Sequence, residues 1–190
     1  MGLFHQNFDK PGPGVSPNAP RKKGAARYFE VLTRDFSTFW MAGLLAMISS
    51  LPFALGLWFA VTTHSLIPML LAGILGGMLA APQIVGLNDT VLRALRDEPG
   101  YWWVTYRKAF KRNFKASLVP GVLYTVVVTL QIFLVYFCFN MLYHGTNVGV
   151  PLWVATVLNL VLFQMLFAYM WPQVVLLDQP LSLTLKNSIN

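Results

Sequence analysis

The sequence is poor in charged residues, especially acids, and has one cysteine. Of its 190 residues 11% are charged, with 14 Lys or Arg against seven Asp or Glu, whereas 56% are hydrophobic. This composition does not suit the surface of a soluble domain. The single cysteine, Cys138, excludes an intrachain disulfide and any cysteine-rich metal motif, and we expect it to be a small buried side chain. The first 38 residues also lack the apolar run of a cleavable signal peptide.

Long stretches without any charge are the main positive feature. They form four segments, and each reaches the roughly 20 residues that a helix needs to cross a bilayer. The segments are residues 39–62, 65–87, 116–142 and 150–177. The sequence therefore predicts an all-α polytopic membrane helix bundle with four transmembrane helices.

The cations are distributed unevenly between the predicted connections. Six lie before the first span, seven lie in the loop at residues 88–115, and Lys186 follows the last span. The two short outer connections contain none, so the positive-inside rule places both termini and the 88–115 loop in the cytoplasm. Residues 1–20, rich in Pro and Gly, are predicted to be a disordered tail before a membrane domain at residues 21–190. Residues 21–37 have the spacing of an interfacial helix.

The stretch "YRKAFKRNFKAS" ends the predicted cytoplasmic loop. Helical spacing places aromatic rings on one face and cations on another, which predicts an amphipathic helix along the cytoplasmic leaflet. Such a helix would contact anionic lipid headgroups in the bilayer or a cytoplasmic partner. Nucleic-acid binding is disfavoured, because topology already explains a basic run beside a span. The predicted contact residues are Trp103, Tyr106, Arg107, Lys108, Phe110, Lys111, Arg112, Phe114 and Lys115.

Small residues recur every four positions in the first two spans. Gly73, Gly77 and Ala81 form one row in the second span, and Ala72, Gly76 and Ala80 form the adjacent row. Small side chains allow helices in lipid to approach closely. We therefore predict that these rows pack against a similar stripe in the first span, consisting of Ala42, Ala46, Ser50 and Ala54.

The four spans contain no ionisable group apart from tyrosine and the thiol of Cys138. Enzymes and ion-coupled transporters usually place charged groups there, so the sequence predicts no enzymatic activity, metal site or cofactor. Three amides are the remaining polar candidates: Gln131 in the third span, and Asn159 and Gln164 in the fourth. They lie at similar depths in adjacent helices. They are expected either to hydrogen-bond across the helices or to form a polar ligand site near the midplane.

Three segments resemble the YesL-like family, bacterial integral membrane proteins whose molecular function is not established. They are "LTRDFSTFW" at residues 32–40, "VLRALRDEPGYWWVTYRKAFKRNFKAS" at 91–117 and "WPQVVLLDQPLSLTLKNS" at 171–188. The middle segment is the most specific. Asp35 departs from the family pattern, which often has Asn at that position.

The resemblance implies a multi-pass protein of the bacterial cytoplasmic (inner) membrane. It also implies an accessory or regulatory role in carbohydrate uptake or sensing, with a permease or sensor membrane protein as partner. The alternative is a small-solute transporter that uses the three amides. Members of the family usually continue into further hydrophobic segments, so we expect this chain to be truncated at its C-terminus.

Overall fold

The computed structural model describes residues 15, 20–98, 100–145, 149–177 and 181–189. These residues form six α-helices: α1 (Ala25–Arg34), α2 (Phe36–Thr62), α3 (Leu66–Leu95), α4 (Trp102–Tyr143), α5 (Val150–Leu176) and α6 (Leu181–Ile189). Helices α2 to α5 are long and apolar enough to cross a membrane. The predicted all-α bundle with four spanning helices is therefore confirmed. The predicted disordered tail lies outside the described residues, except for positions 15 and 20.

Helix α3 is the central element of the bundle and contacts α2, α4 and α5. A connection of three residues, 63–65, joins α2 to α3, with His64 in the left-handed region at φ 50°. Short connections make neighbouring helices antiparallel. The C-terminal end of α3 consequently lies beside the N-terminal end of α2, which brings the charged segments of the chain together.

The predicted row of Gly73, Gly77 and Ala81 packs against α4 rather than α2. Thr125 of α4 donates a hydrogen bond to the carbonyl oxygen of Gly73, at 2.6 Å. A Cβ added at Gly77 would overlap Thr125 and the backbone of α4, and one added to Gly121 of α4 would overlap Ala81. The row is thus a close-packing surface, but the predicted partner helix was wrong. The reason is physical: a stripe of small residues indicates close approach without identifying the helix that approaches.

The adjacent row on α3 is the one that meets α2. A Cβ at Gly56 of α2 would overlap Ala72, and a Cβ at Gly76 would overlap Phe53. Leu57 is buried in this contact region, whereas Ala54 of the predicted stripe is exposed. Ala42, at the other end of the predicted stripe, is fully buried. The contact face of α2 therefore departs from the predicted stripe only towards the C-terminal end of the helix, where Phe53 fills the space that Gly76 leaves.

Helix α4 is longer than its predicted span. Its 42 residues correspond to about 63 Å, roughly twice the thickness of the hydrocarbon core. The predicted loop at residues 88–115 is mostly helical, because α3 continues to Leu95 and α4 begins at Trp102. The basic stretch is helical, as predicted, but it is the N-terminal part of α4 and not a separate helix. The first proline of α4 is Pro120, which lies inside the predicted span, and the helix continues through it. The basic stretch and the span are therefore one continuous helix.

The largest buried cluster joins α5 to the central helices. Phe167, Met170 and Trp171 of α5 belong to the same cluster as Ala81 and Val85 of α3. The Tyr124 ring of α4 contacts Phe167 and Trp171 edge-on. This cluster fixes α5 against α3 and α4 on the side of the bundle that carries the charged residues.

Candidate functional site

Asp97 binds three arginines from the N-terminal segment. It follows α3 in the left-handed region, at φ 56°, and its side chain is 2% exposed. Its Oδ2 lies 2.9 Å from Arg21 Nε and 2.6 Å from Arg27 Nη2, and its Oδ1 lies 2.6 Å from Arg34 Nη1. We call this group, Arg21, Arg27, Arg34 and Asp97, the Asp97 clamp. It ties α1 and the residues just before it to the end of α3.

The clamp keeps its carboxylate ionised. The hydrogen bond from Arg27 is the largest cause that lowers the pKa of Asp97, and the bond from Arg34 acts in the same direction. Burial opposes them, but the net pKa of Asp97 is below its ordinary value. The Asp97 side chain therefore carries its charge at neutral pH.

A second ion-pair network joins α3 to α4. Arg93 Nε lies 2.7 Å from Oδ2 of the buried Asp89, and Arg93 Nη1 lies 2.9 Å from Glu98 Oε2. Arg96 Nε binds Glu98 at 3.1 Å, and Arg112 Nη2 of α4 lies 3.6 Å from Asp89 Oδ1. These acids thus neutralise arginines of the chain itself.

Four predicted contact cations on α4 lie outside these networks: Arg107, Lys108, Lys111 and Lys115. All four are exposed, and none has a carboxylate partner among the residues that the structure describes. We call them the free basic residues of α4. The fifth predicted cation, Arg112, is exposed but takes part in the Asp89 network.

The predicted aromatic face of α4 is only partly available. Trp103 and Phe114 are exposed, and Phe110 is half-buried. Tyr106 is buried instead, with its hydroxyl donating to Gln83 Oε1 and its ring against Gly86. Tyr106 is therefore a packing residue between α3 and α4, and its predicted contact with lipid or a partner was wrong. The absence of a side chain at Gly86 provides the space for its ring.

A cavity of about 760 Å³, lined in part by the free basic residue Lys115, lies between α3, α4, α5 and α6. Its lining includes Arg93, Arg96, Arg112 and Lys115, together with Asp89 and Glu98. Asn113 also lines it, 8% exposed, and its Nδ2 has no hydrogen-bond partner in the described part of the chain. A second cavity, about 640 Å³, lies beside the Asp97 clamp and is bounded by Trp102 and Trp103.

The structure brings the three amides of the third and fourth spans together. Gln131 Nε2 donates to the carbonyl oxygen and to Oδ1 of Asn159, both at 3.2 Å, and Gln164 Nε2 donates to Gln131 Oε1 at 3.5 Å. Gln131 is buried, whereas Gln164 is exposed. Neither of the two cavities is lined by these amides. A ligand site at this level stays a prediction.

Metal-ligating groups are dispersed in the described ranges, where no three His, Cys, Asp or Glu side chains are placed to hold a metal ion. Cys138 is a free, buried cysteine, as predicted, with its Sγ 3.9 Å from Thr156 Oγ1. His64 contacts Tyr136 through its Nδ1 at 2.8 Å. These contacts connect helices and do not assemble a reactive group.

Sequence reasoning missed the Asp97 clamp and the cavity beside Asn113. A signal for the clamp was present: the short 63–65 connection makes a hairpin whose charged ends must meet. The chain has 14 Lys or Arg but only seven Asp or Glu, so an acid at that end of the hairpin is expected to pair with more than one arginine. The cavity had no such signal, because its walls come from helices distant in sequence.

Comparison with protein-family models, curated proteins and solved structures finds no match to this chain.

Proposed function

We propose that this protein is an accessory or regulatory component of a carbohydrate-uptake or sensing system in the bacterial cytoplasmic membrane. In this proposal, the N-terminus is cytoplasmic and the charged end of the bundle binds a permease or sensor membrane protein. The resemblance to the YesL-like family is the reason for proposing a carbohydrate-uptake or sensing system. The free basic residues of α4 are the observation that supports binding of a partner.

The ion pairs explain why that surface is suited to an external partner. Asp89, Asp97 and Glu98 are already occupied by arginines of the chain, so they do not neutralise the free basic residues. The Asp97 clamp and the Asp89 network also hold this end of the bundle in a defined arrangement. A defined, uncompensated positive surface favours a partner with acidic side chains, because complementary charge orients association.

The alternative, a small-solute transporter, is supported by the contact of Gln131 with Asn159 and Gln164. Their mutual hydrogen bonds use the same donors that a solute would need. Such interhelical bonds contribute about 0.6 kcal/mol each on average in membrane proteins, so helix packing accounts for the amides without a ligand. The accessory role is therefore preferred.

The test is gentle crosslinking and co-purification of the full-length protein from its own bacterial membrane, with partners identified by mass spectrometry. We expect a permease or sensor in stoichiometric amount. The variant K108Q/K111Q should lose several-fold in recovered partner, because it removes two free basic residues while leaving the ion pairs intact.

The matched control is K22Q/K23Q, which removes the same charge from exposed positions before α1. It should recover the partner as well as the wild type does. If the protein is isolated alone or only with copies of itself, the accessory role is wrong. Solute binding by the purified protein would then test the alternative.

A further inference from the structure

The 760 Å³ cavity carries an excess of positive charge beside a buried donor. Among the residues that the structure describes, four cations and two carboxylates line it, a formal excess of two positive charges. Arg112 Nη2 donates a long hydrogen bond to the carbonyl oxygen of Val175, at 3.4 Å, and lies 3.6 Å from Asp89. The guanidinium has five N–H donors, so others are left for another acceptor. Lys115 has no carboxylate partner within the described ranges. An anion with several acceptor oxygens fits these groups.

Asn113 supplies an independent reason to expect a ligand. Buried polar groups are nearly always hydrogen-bonded, and leaving one unpaired costs about 1–3 kcal/mol. The amide nitrogen of Asn113 is buried and lacks a partner among the described residues, and the residue itself is part of the lining of this cavity. A ligand oxygen in the cavity would satisfy it.

Another part of the cavity wall is apolar. It includes Ala116, Val119 and Pro120, at the start of the predicted span in α4, and residues 174–177 at the end of α5. Val119, Leu176 and Leu177 are also exposed on the outside of the bundle. The apolar wall thus continues onto the surface that faces lipid in a membrane protein, while the charged wall lies towards the cytoplasmic end.

From this arrangement we infer that the cavity binds an anionic phospholipid. Its phosphate lies among Arg112, Lys115 and the Asn113 amide, and the start of an acyl chain lies along Val119 and Leu176. Phosphate oxygens are strong acceptors for arginine and lysine. A free phosphate would use the charged wall alone, whereas a phospholipid uses both walls. The inference does not depend on the accessory function, because it concerns lipid and not a protein partner.

The experiment measures how much lipid the full chain retains. Delipidated protein is reconstituted with phosphatidylglycerol, with zwitterionic phosphatidylcholine or with inorganic phosphate, and bound molecules are counted by native mass spectrometry. We expect one retained phosphatidylglycerol. We also expect weaker retention of phosphatidylcholine, whose choline cation cancels the charge, and weaker binding of inorganic phosphate.

Two variants test the site. K115Q removes an exposed cation without breaking an ion pair, and N113L removes the unpaired donor. Each substitution should weaken phosphatidylglycerol retention by about tenfold, as expected for the loss of a charge-assisted or buried hydrogen bond. N113L should leave the thermal stability of the lipid-free protein unchanged or higher, because an unsatisfied buried donor is removed. This second readout separates loss of the site from loss of the fold.

The matched control is K22Q, which removes an exposed lysine that precedes α1 and lies outside the cavity lining. It should retain phosphatidylglycerol like the wild type. Equal retention by wild type, K115Q and N113L would overturn the inference. Equal weakening by K22Q would also overturn it, since that result would indicate only a diffuse charge effect. Tighter binding of inorganic phosphate than of phosphatidylglycerol would show that the cavity binds a free anion, and it would overturn the inference that the ligand is a phospholipid.

Discussion

Asp97 is the residue on which the arrangement of the N-terminal segment depends. Arginines at positions 21, 27 and 34 all reach its carboxylate, although they lie 63 to 76 positions away in sequence. Arg34 additionally donates to the carbonyl oxygen of Ala94 at 2.9 Å. One buried charge thus holds α1 and the residues before it against the end of α3.

We predict that D97N releases this segment and lowers the free energy of unfolding by about 1–3 kcal/mol, because three guanidinium groups lose their shared anion. Tryptic cleavage between residues 21 and 34 should become faster. Unfolding in mixed detergent micelles measures the first effect, and limited proteolysis measures the second. The control D35N should have a smaller effect on both, since Arg34 keeps Asp97 as a partner.

The same residue sets a dependence on pH. Because the pKa of Asp97 is lowered in the folded protein, its contribution is complete above the unfolded pKa of about 3.9 and is lost as pH falls through the lower folded value. The stability difference between wild type and D97N should therefore be constant from about pH 8 to pH 5. It should shrink only below about pH 4. A difference that disappears between pH 7 and pH 5 would contradict the clamp.

At the scale of elements, the contact between α3 and α4 depends on small residues. G77A should lower the free energy of unfolding by about 1–3 kcal/mol, because its Cβ meets Thr125 and the α4 backbone with no room to move. G43A in α2 is the matched control: nothing lies within 4 Å of its added Cβ, so it should be neutral or stabilising by up to about 1 kcal/mol. Both are measured by unfolding in mixed micelles. Equal effects of the two substitutions would mean that helix propensity, and not packing, governs the result.

The membrane-spanning helices can largely be predicted from the sequence, but the helix against which each of them packs cannot. Long uncharged runs predict the four spans, because a helix that crosses a bilayer needs about 20 consecutive apolar residues, which can be read from the sequence. The Gly73 row was recognised as a packing surface, yet its partner depends on the three-dimensional placement of Thr125 and Gly121. Tyr106 was assigned to the exposed face because Trp103 and Phe110 share its periodicity. Its burial depends on the space at Gly86, which a pattern within one helix cannot reveal.

At the scale of the whole molecule, orientation in the membrane is the property most directly open to measurement. In a C138A background, H144C should react with an impermeant maleimide from outside intact cells, and K108C should react only after the membrane is opened. Both positions are exposed, so reactivity reports the side of the membrane and not burial. The positive-inside rule gives this orientation. Labelling of K108C from outside would reverse it.

The Asp97 clamp also bears on how the chain is assembled during synthesis. All four of its residues precede α4, so the pairing between the segment before α2 and the end of α3 needs nothing made later. Parts nearer the N-terminus emerge from the ribosome first. The hairpin of α2 and α3 can thus be held at both ends, by the 63–65 connection and by the arginines, before all of α4 has left the ribosome. The face of α3 that carries Gly73 and Gly77 would then be ordered before the second half of the protein packs against it.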